Sequence, residues 1–346
     1  MDIGRISEDR SASLTGILTR CILTDIFVFV NTEAKKDVIG THLRKTGIKT
    51  MSMREKINPK LLVHDLEKPL VSVIVTTKNE ERHIENCLKS VKKQTYPHDK
   101  IQLIVVDNNS LDSTVKIAGE FTDDVFNMGP ERSAQRNFGA TKAQGKYLLL
   151  LDADMILSDS VINECVNKCE SEGYIALYIP ERIMGRGFWI KIRDFERSFY
   201  NATCIDAVRF VIREKLLEIG GFDPSLTGPE DWDVDRRIRK AGKVGIINEL
   251  LYHDDGEFSV KKYLEKKCYY FKGEDVYLKK WGKNDPIIRK QLGAYYRLLG
   301  VFIEHGKWKR MIKHPMRAVG MYLLRFMVAL VYLRSKLRVR RSCYKH

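Results

Sequence analysis

Short apolar blocks alternate with longer amphipathic segments between residues 71 and 154. Three blocks are rich in valine, isoleucine or leucine and short enough to be buried strands: VSVIVTT at 71–77, IQLIVVD at 101–107 and KYLLLLD at 146–152. The segments between them space their apolar residues as a helix does, for example at Ile84, Leu88 and Val91. This alternation of strands and helices predicts an α/β fold with a mainly parallel sheet.

The remaining elements follow a less regular rhythm. Residues 125–129 predict a short strand, and residues 131–145 predict a helix that ends at Gly145. Beyond residue 154 the pattern predicts helices over 158–169 and 229–242, strands over 174–180 and 243–253, and a strand–helix–turn unit over 210–224. From about residue 258 onward the chain is predicted to be helical.

These patterns divide the chain into three parts. Residues 1–65 show no clear period and are expected to be an N-terminal extension of unknown structure. Met51 and Met53 precede the first strand, so the first fifty residues are either a poorly ordered extension or the product of a start codon assigned too far upstream. Residues 66–257 form the α/β domain, and residues 258–346 form a helical, basic region.

Charge separates the last part from the rest. The chain carries a net charge of +15. Residues 305–346 contain twelve lysines and arginines and no acid, so this tail supplies +12 of that charge. The basic character therefore belongs to an appendage and not to the α/β domain.

The tail also contains an apolar helix. Residues 318–333 make about 16 residues of helix, roughly 24 Å long and shorter than a membrane span. Three interpretations remain: a helix lying on the anionic inner leaflet, a helix packed on the domain or on a partner subunit, and a nucleic-acid-binding tail. The first interpretation is favoured. A tail that binds nucleic-acid phosphates would not require the apolar run MVALVYL.

The sequence also indicates the cell compartment. Asp2, Glu8 and Asp9 precede any apolar stretch, so the N-terminus does not resemble a signal peptide. The seven cysteines are scattered, which is typical of reduced thiols. We therefore expect a cytoplasmic protein attached peripherally to the inner face of the cell membrane.

Two aspartates end the most apolar strand. Asp152 and Asp154 follow four leucines, at the carboxyl end where open α/β sheets bind their ligands. Spacing of one residue on an extended segment points both side chains to the same side. Two carboxylates there can hold a divalent cation that in turn holds a diphosphate. The alternative is a turn followed by a helix cap.

Three further features point to the same edge of the sheet. Asp107 ends another strand, where a carboxylate can contact a base or a ribose or cap the next helix. Arg132 and Arg136 lie four residues apart near a helix start, either as an anion site or as a solvated basic face. Glu230 and Asp231 begin another helix, where acids favour the helix dipole and are also well placed to include a general base.

Four segments in order resemble the inverting glycosyltransferases of family 2, which have the GT-A fold. They are VSVIVTTKNEERHIENCLKSV, VVDNNSLDST, RSAQRNFGATKAQGKYLLLLDADM and IGGFDPSLTGPEDWDVDRRIRKAG, and they lie within residues 70–255. The resemblance implies a Rossmann-like mixed, mainly parallel sheet flanked by helices. It also implies transfer of a sugar from a nucleotide-sugar donor with Mg²⁺ or Mn²⁺.

The resemblance assigns a role to each matching residue. It implies that the donor is bound by Thr76, Asn79, Glu80, Asp107, Arg132, Arg136 and Asp152. Asp154 matches the metal-binding acid of the DXD motif, and His253 stands where many GT-A enzymes place a metal-binding histidine. Asp231, with Glu230 before it, matches the acid that serves as catalytic base. For His253 a structural role weighs equally.

The departures from the family leave the substrates open. No Gln-x-x-Arg-Trp motif is found, which disfavours the processive synthases, and MILSDS after the second aspartate disfavours dolichyl-phosphate mannose synthases. The donor is expected to be a UDP- or GDP-sugar. The acceptor is expected to be a polyprenyl phosphate, a lipid-linked sugar or a surface glycan of the cell envelope. The alternatives are a nucleotidyltransferase and a non-catalytic scaffold that binds a nucleotide sugar.

Overall fold

A computed structural model describes residues 68–343 of the chain, except for the side chains of Lys272 and residues 335–343. The prediction for residues 1–65 lies outside this range. The described residues form ten strands: β1 (Val71–Thr77), β2 (Ile101–Asp107), β3 (Val125–Asn127), β4 (Tyr147–Asp152), β5 (Met155–Leu157), β6 (Ala176–Tyr178), β7 (Glu181–Arg186), β8 (Phe210–Ile212), β9 (Val244–Ile246) and β10 (Leu251–Glu257).

Seven of these strands form one sheet in the order β3-β2-β1-β4-β8-β6-β9. The first four are parallel, while β8 runs antiparallel to both β4 and β6. The register places Thr76 opposite Asp152 and Thr77 opposite Asp107. The prediction of a mixed, mainly parallel sheet is confirmed, and the carboxyl ends of β1, β2 and β4 meet at one edge.

The helices cover both faces of the sheet and then continue beyond it. Those of the α/β part are α1 (Ile84–Lys92), α2 (Thr114–Gly119), α3 (Glu131–Lys142), α4 (Val161–Glu172), α5 (Phe188–Arg197), α6 (Arg213–Glu218) and α7 (Glu230–Ala241). The C-terminal helices are α8 (Val260–Tyr270), α9 (Glu274–Trp281), α10 (Pro286–Leu292), α11 (Val301–Ile303), α12 (Trp308–Lys313) and α13 (Pro315–Cys343). The predicted helical C-terminal region is therefore present.

Burial explains why the central strands could be predicted from the sequence. Every residue of β1 is buried, and so are the four leucines Leu148–Leu151 of β4. Their side chains contribute to two hydrophobic clusters, one on each face of the sheet. A strand buried on both faces is usually a nearly continuous apolar run, and β1 shows this pattern except at Ser72, Thr76 and Thr77.

Several predicted boundaries are wrong. Helix α3 ends at Lys142 and not at Gly145. Gly145 instead lies close to the start of β1, where a Cβ atom would be 2.6 Å from the backbone nitrogen of Ser72. The single strand predicted over 243–253 is two strands in different sheets, β9 and β10. Asp154 lies in a turn between β4 and β5, so it does not share an extended segment with Asp152.

A second sheet has three strands in the order β5-β10-β7. Strand β10 pairs antiparallel with β5, and the register places His253 opposite Met155. Strand β7 and helix α5 were not predicted, since their charged residues hide the apolar period. This small sheet matters for the site because it carries His253 back to the end of β4.

The C-terminal helices pack on α5 and form a third hydrophobic cluster. Its buried members include Ile192, Phe199, Phe302, Met321 and Leu324. Helix α13 therefore has one face inside the folded unit, as one of the sequence-based interpretations required.

One buried ion pair fixes α13 on α5. Arg325, which is the only charge between residues 318 and 333, donates to Glu196 at 2.6 Å. Glu196 also accepts from Arg193 at 2.6 Å and from the hydroxyl of Tyr200 at 2.6 Å. Burial would raise the pKa of Glu196, but Arg193 and Arg325 outweigh burial and lower it to about 2.

Replacement of Glu196 by glutamine is therefore expected to destabilise the fold by about 3–5 kcal/mol at pH 7, since it leaves two buried guanidinium groups unpaired. The pKa of Glu196 is lowered from 4.5, so its contribution is complete above that pH and disappears as the pH falls through about 2. Urea unfolding should give a lower free energy of unfolding for Glu196→Gln than for wild type at pH 7, and this difference should disappear as the pH falls from 4.5 to about 2. The exposed Glu265→Gln on α8 is the control, and an equal loss in both variants would contradict the prediction.

Helix α13 is longer than expected. It contains 29 residues, and its segment Pro315–Arg334 has 20 residues with a mean hydropathy of 1.5. By length and composition alone this segment could cross a membrane, so the expectation of a helix too short for a span is wrong. Only 22% of the segment is buried in the folded unit.

Candidate active site

The carboxyl ends of the central strands bring several predicted residues together. Thr76, near the end of β1, donates a hydrogen bond to the Oδ1 atom of Asp152 at the end of β4, with a distance of 2.9 Å. The contact follows from the register, which places the two residues opposite each other. Strand pairing thus orients the carboxylate of Asp152 toward the sheet edge.

Three arginines surround Asp152. Arg136 donates to its Oδ1 atom at 2.9 Å, and Arg132 and Arg209 lie 3.7 and 3.9 Å from its Oδ2 atom. Burial would raise the pKa of Asp152, but Arg136, Arg132 and Arg209 together hold it well below its usual range. Asp152 is therefore ionised.

Two of these arginines also contact the start of helix α7. Arg136 donates to Asp231 at 2.6 Å, and Arg132 donates to Glu230 at 2.8 Å. Arg132 and Arg136 are four residues apart on α3, so both guanidinium groups leave the same helix face. The two residues thereby link the acid that ends β4 with the acids that begin α7.

A glycine allows this helix start to approach the covering helix α8. Gly228 has a φ of +102°, and a Cβ atom there would lie 2.9 Å from the carbonyl oxygen of Tyr270. A side chain would therefore be both strained and crowded at this position. The ring of Tyr270 lies 5.4 Å from the guanidinium carbon of Arg132, so α8 closes one side of the pocket.

Glu230 and Asp231 differ in their surroundings. The side chain of Glu230 is only 3% exposed, while that of Asp231 is 20% exposed. Burial, and then the neighbouring carboxylate of Asp231, raise the pKa of Glu230. Asp231 is therefore the acid that a substrate can reach, and Glu230 is the acid that positions Arg132.

Asp154 and His253 form the pair that suits a metal ion. The Nε2 atom of His253 lies 2.8 Å from the Oδ2 atom of Asp154, while the Oδ1 atom of Asp154 is buried without a hydrogen-bond partner. Burial would raise the pKa of Asp154 and lower that of His253. Their mutual attraction reverses both effects, so that the pKa of Asp154 is lowered and that of His253 is raised to about 8.

This donor set fits a divalent cation that is completed by a ligand. An orphaned carboxylate oxygen next to an imidazole offers one oxygen and one nitrogen donor. Within residues 68–343, no group of three or more His, Cys, Asp or Glu residues is arranged to hold a metal. The remaining coordination positions would belong to water or to a substrate oxygen, as at open catalytic metal sites.

Asp107 and Asn79 hold two loops together. Asp107 accepts hydrogen bonds from the backbone nitrogen of Ser110 at 2.7 Å and from its hydroxyl group at 2.5 Å. Asn79, with a φ of +54°, accepts from the backbone of Leu111, and its own nitrogen donates to Ser110. These contacts are those of a turn. The N-cap residue of helix α2 is Ser113, so the alternative that Asp107 caps this helix is wrong.

The same turn borders a cavity. Its volume is about 330 Å³, and its lining includes Asp107, Ser110, Leu111, Val115 and Phe126. The cavity is mostly apolar, and Leu111 at its mouth is 94% exposed. A flat aromatic group bound in this cavity would contact its apolar walls and hydrogen-bonding groups of the backbone.

Sequence comparison identifies the domain that carries this site. Residues 72–218 match the profile described as "Glycosyl transferase family 2". The chain therefore contains a family 2 glycosyltransferase domain. Its family 2 domain contains β1–β4, helix α3 and the Asp152–Asp154 turn, and the matched region ends before Glu230 and Asp231.

Individual relatives agree with this assignment. Glycosyltransferase AglE of Haloferax volcanii is 40% identical over 93 residues, which are 25% of this chain and 31% of that protein. The probable glycosyltransferase YdaM of Bacillus subtilis is 31% identical over 231 residues, which are 58% of this chain and 54% of that protein. The chain thus spans between a third and about half of the length of these two relatives.

A solved structure supports the GT-A fold. The mannosyltransferase PcManGT of Pyrobaculum calidifontis, in complex with GDP-Man and Mn²⁺, matches with a TM-score of 0.54 at 20% identity. The match covers 78% of this chain and 86% of that chain. This likeness concerns the fold of the family 2 domain and its helical extension.

Glu80 lies beside the candidate metal pair of the family 2 domain. Its carboxylate is 2.8 Å from the Nδ1 atom of His83, and its backbone nitrogen donates to the hydroxyl of Thr114. Burial, opposed by the hydrogen bond to His83 and assisted by the charge of Asp154, raises the pKa of Glu80. Glu80 thus adds negative charge to the metal side of the pocket.

The sequence did not indicate Arg209, Glu181 and Lys266 as members of this site. Arg209 links Asp152 to Glu181, with an Nη2–Oε1 distance of 3.1 Å. Lys266 of α8 interacts with Asp154 and Asp152. Burial would lower the pKa of Lys266, but Tyr270 and these two aspartates raise it. One signal was present for Arg209: it directly precedes the apolar residues FVI, where a charge requires a buried partner.

Proposed function

We propose that this protein is a metal-dependent inverting glycosyltransferase that moves a sugar from a nucleotide-sugar donor to a membrane-associated acceptor. The observation that carries the proposal is the linkage of Asp152, at the end of β4, to Asp231, at the start of α7, through Arg136. This linkage unites a ligand-binding strand end with a substrate-accessible carboxylate. The metal pair of Asp154 and His253 completes the same pocket.

The donor would lie along the carboxyl edge of the sheet. Its base would occupy the cavity beside Asp107. Its ribose would contact Asp152, whose ionised carboxylate can accept hydrogen bonds from the ribose hydroxyl groups. Arg132 and Arg136 supply positive charge for the diphosphate. A UDP- or GDP-sugar is the expected donor, and the GDP-Man and Mn²⁺ bound by the mannosyltransferase of the same fold make these the first probes.

The metal would be Mg²⁺ or Mn²⁺, held by Asp154 and His253. It would neutralise the charge that develops on the leaving diphosphate. Asp154 presents its free Oδ1 atom, and His253 contributes through Nε2 once the hydrogen bond between the two side chains gives way. Glu181 and Asp255 also raise the pKa of His253, so the metal ion would displace a proton from the imidazole when it binds.

Asp231 would act as the general base. Its carboxylate takes the proton of the acceptor hydroxyl while that oxygen forms a bond to the anomeric carbon. The bond from that carbon to the diphosphate oxygen breaks, and its electron pair leaves with the diphosphate. Arg136 holds the Oδ1 atom of Asp231 in place, so the exposed part of the carboxylate faces the acceptor.

Product analysis tests this function. Incubation with UDP- and GDP-sugars, Mn²⁺ and a lipid extract should release nucleotide diphosphate and yield one glycolipid. Proton NMR of that product should show the anomeric configuration opposite to that of the donor. Retention of the donor configuration, or no transfer from any donor in the panel, would contradict the proposal.

Membrane attachment is supported by the exposed face of α13. Six apolar residues on this face are 39–74% exposed and form an outer stripe: Met316, Val319, Leu323, Phe326, Leu330 and Leu333. Their spacing alternates between three and four residues, so they form one continuous helix face. An apolar stripe of this length is typical of an interaction surface.

Charge favours a bilayer as the occupant of the outer stripe. Exposed Lys309, Arg310, Lys313 and Arg317 lie at one end of the stripe, and Arg334 lies at the other. Two copies of this acid-free tail would repel each other, whereas anionic lipid would attract it. Since Met321, Leu324 and Arg325 anchor the opposite face in the folded unit, we propose that α13 lies in the inner leaflet and does not cross it.

Vesicle sedimentation tests this surface. The double variant Leu323→Ser/Phe326→Ser should lose most of its binding to phosphatidylglycerol vesicles, because two central side chains no longer insert. Leu217→Ser, an exposed leucine on α6, is the matched control and should bind as wild type does. If the double variant instead sediments with vesicles normally but changes its oligomeric mass, the stripe is a subunit contact and the membrane proposal is wrong.

A further inference from the structure

A group of cations lies beside the candidate active site and takes no part in the chemistry described above. Arg193 of α5, Lys267 of α8 and Arg297, between α10 and α11, form this cationic cluster. The guanidinium carbon of Arg193 and the ammonium of Lys267 lie 4.6 and 5.3 Å from the ring centre of Tyr263. The guanidinium carbon of Arg297 lies 5.7 Å from the ring centre of Trp232.

The cluster contains more positive than negative charge. Glu196 pairs with Arg193, but it also neutralises Arg325. Among the described residues, no carboxylate lies within ion-pair distance of Lys267 or Arg297, and the Nε atom of Arg193 is buried without a partner. Burial, together with Arg193 and Arg297, lowers the pKa of Lys267 to about 7. Glu196 also attracts Lys267, but one carboxylate shared with Arg193 and Arg325 leaves the cluster with a net positive charge.

The cationic cluster adjoins the acceptor side of the pocket. Trp232, beneath Arg297, directly follows the candidate base Asp231. Lys266, the neighbour of Lys267, interacts with the candidate metal ligand Asp154. The charge of Asp255, which lies 3.8 Å from His253, also acts on Arg193. Asp255 therefore links the cluster to the candidate metal pair.

We propose that the cationic cluster binds a phosphate group carried by the acceptor, which makes the acceptor a phosphate-bearing lipid. The inference rests on the proposed function and narrows its acceptor class. A phosphate supplies two negative charges and three acceptor oxygens, enough for Lys267, Arg297 and Arg193 at once. A general base such as Asp231 is needed only for a hydroxyl nucleophile, so the phosphate would anchor the acceptor and a hydroxyl of the same acceptor would attack the sugar.

The neighbouring surfaces favour an acceptor over the donor. Arg132 and Arg136 already serve the diphosphate at the other side of Asp231, so the donor does not need a second cationic site. Helix α13, whose outer stripe is proposed to enter the bilayer, packs against α8 and α5, which carry Lys267 and Arg193. A lipid chain could remain in the bilayer while its phosphate reaches the cluster.

Calorimetric titration of the full-length protein with geranylgeranyl phosphate in neutral detergent micelles tests the inference. The wild type should bind it at least about ten-fold more tightly than geranylgeraniol in the same micelles. Lys267→Met and Arg297→Gln should each remove this preference, and Lys267→Arg should restore it. Lys261→Met, an exposed lysine on the same helix, should bind as the wild type does.

Two results would overturn the inference. One is equal binding of phosphate and alcohol by the wild type. The other is loss of binding to phosphatidylglycerol vesicles in Lys267→Met with unchanged binding of geranylgeranyl phosphate, which would assign the cluster to bilayer headgroups. Binding of the phosphate without sugar transfer would support the site while removing the proposed function, so the two failures are distinguishable. Unchanged melting temperatures of the variants show that each comparison concerns folded protein.

Discussion

Replacement of Asp231 by asparagine is expected to lower turnover by about 10²–10⁴-fold and to leave the KM for the donor unchanged. The amide has the shape of the carboxylate, and its oxygen can still accept the 2.6 Å hydrogen bond from Arg136. It cannot take the proton of the acceptor hydroxyl. The loss should therefore appear in kcat, measured as acceptor-dependent release of nucleotide diphosphate.

A matched control distinguishes the loss of the general base from the loss of a negative charge elsewhere in the protein. Asp123→Asn removes one negative charge from an exposed loop outside the candidate site and should keep full turnover. Glu230→Gln should affect the reaction less directly, because Glu230 is buried and acts on Arg132. If Asp231→Asn turns over like the wild type, Asp231 is not the base.

Replacement of Asp154 by alanine is expected to lower turnover by about 10³-fold, the size of a lost metal interaction of several kcal/mol. The substitution removes both the free Oδ1 atom and the carboxylate that orients His253. Titration of activity with Mn²⁺ should show that the residual rate no longer depends on the ion. Asp123→Asn again serves as the control, and a metal response in Asp154→Ala equal to that of wild type would assign the ion to other ligands.

The central sheet was predictable because its strands are buried on both faces. VSVIVTT and IQLIVVD coincide with β1 and β2, since such strands consist mainly of apolar, β-branched residues. Strand β7, with the sequence ERIMGR, was not predictable, because its charged residues find partners only in the folded chain. Glu181, for example, is stabilised by Arg197 and Arg209.

The site was predictable where residues of one kind recur at strand ends or on one helix face. The spacing of Arg132 and Arg136 predicted a shared face, but not that both side chains would pair with acids almost one hundred residues away. The contact between Asp154 and His253 depends on the antiparallel pairing of β5 and β10. Such a long-range pairing leaves no local pattern in the sequence.

The C-terminal helix was also only partly predictable from the sequence. Residues 318–333 are apolar on all sides except at Arg325, so the sequence did not reveal which face is buried. In the folded chain Arg325 marks the inner face, because it pairs with Glu196. The outer stripe follows from that contact, and it is the basis of our proposal that the helix lies on a bilayer and does not cross it.

Metal-dependent binding of a nucleotide sugar tests the central claim most directly, since it requires neither the acceptor nor turnover. Thermal unfolding of the wild type and of Asp154→Ala should be compared with a panel of UDP- and GDP-sugars, with and without Mn²⁺. We predict that at least one donor raises the melting temperature of the wild type only when Mn²⁺ is present, and that Asp154→Ala loses this rise. A rise that is independent of Mn²⁺ and of Asp154, or no rise with any donor, would contradict the assignment of the site.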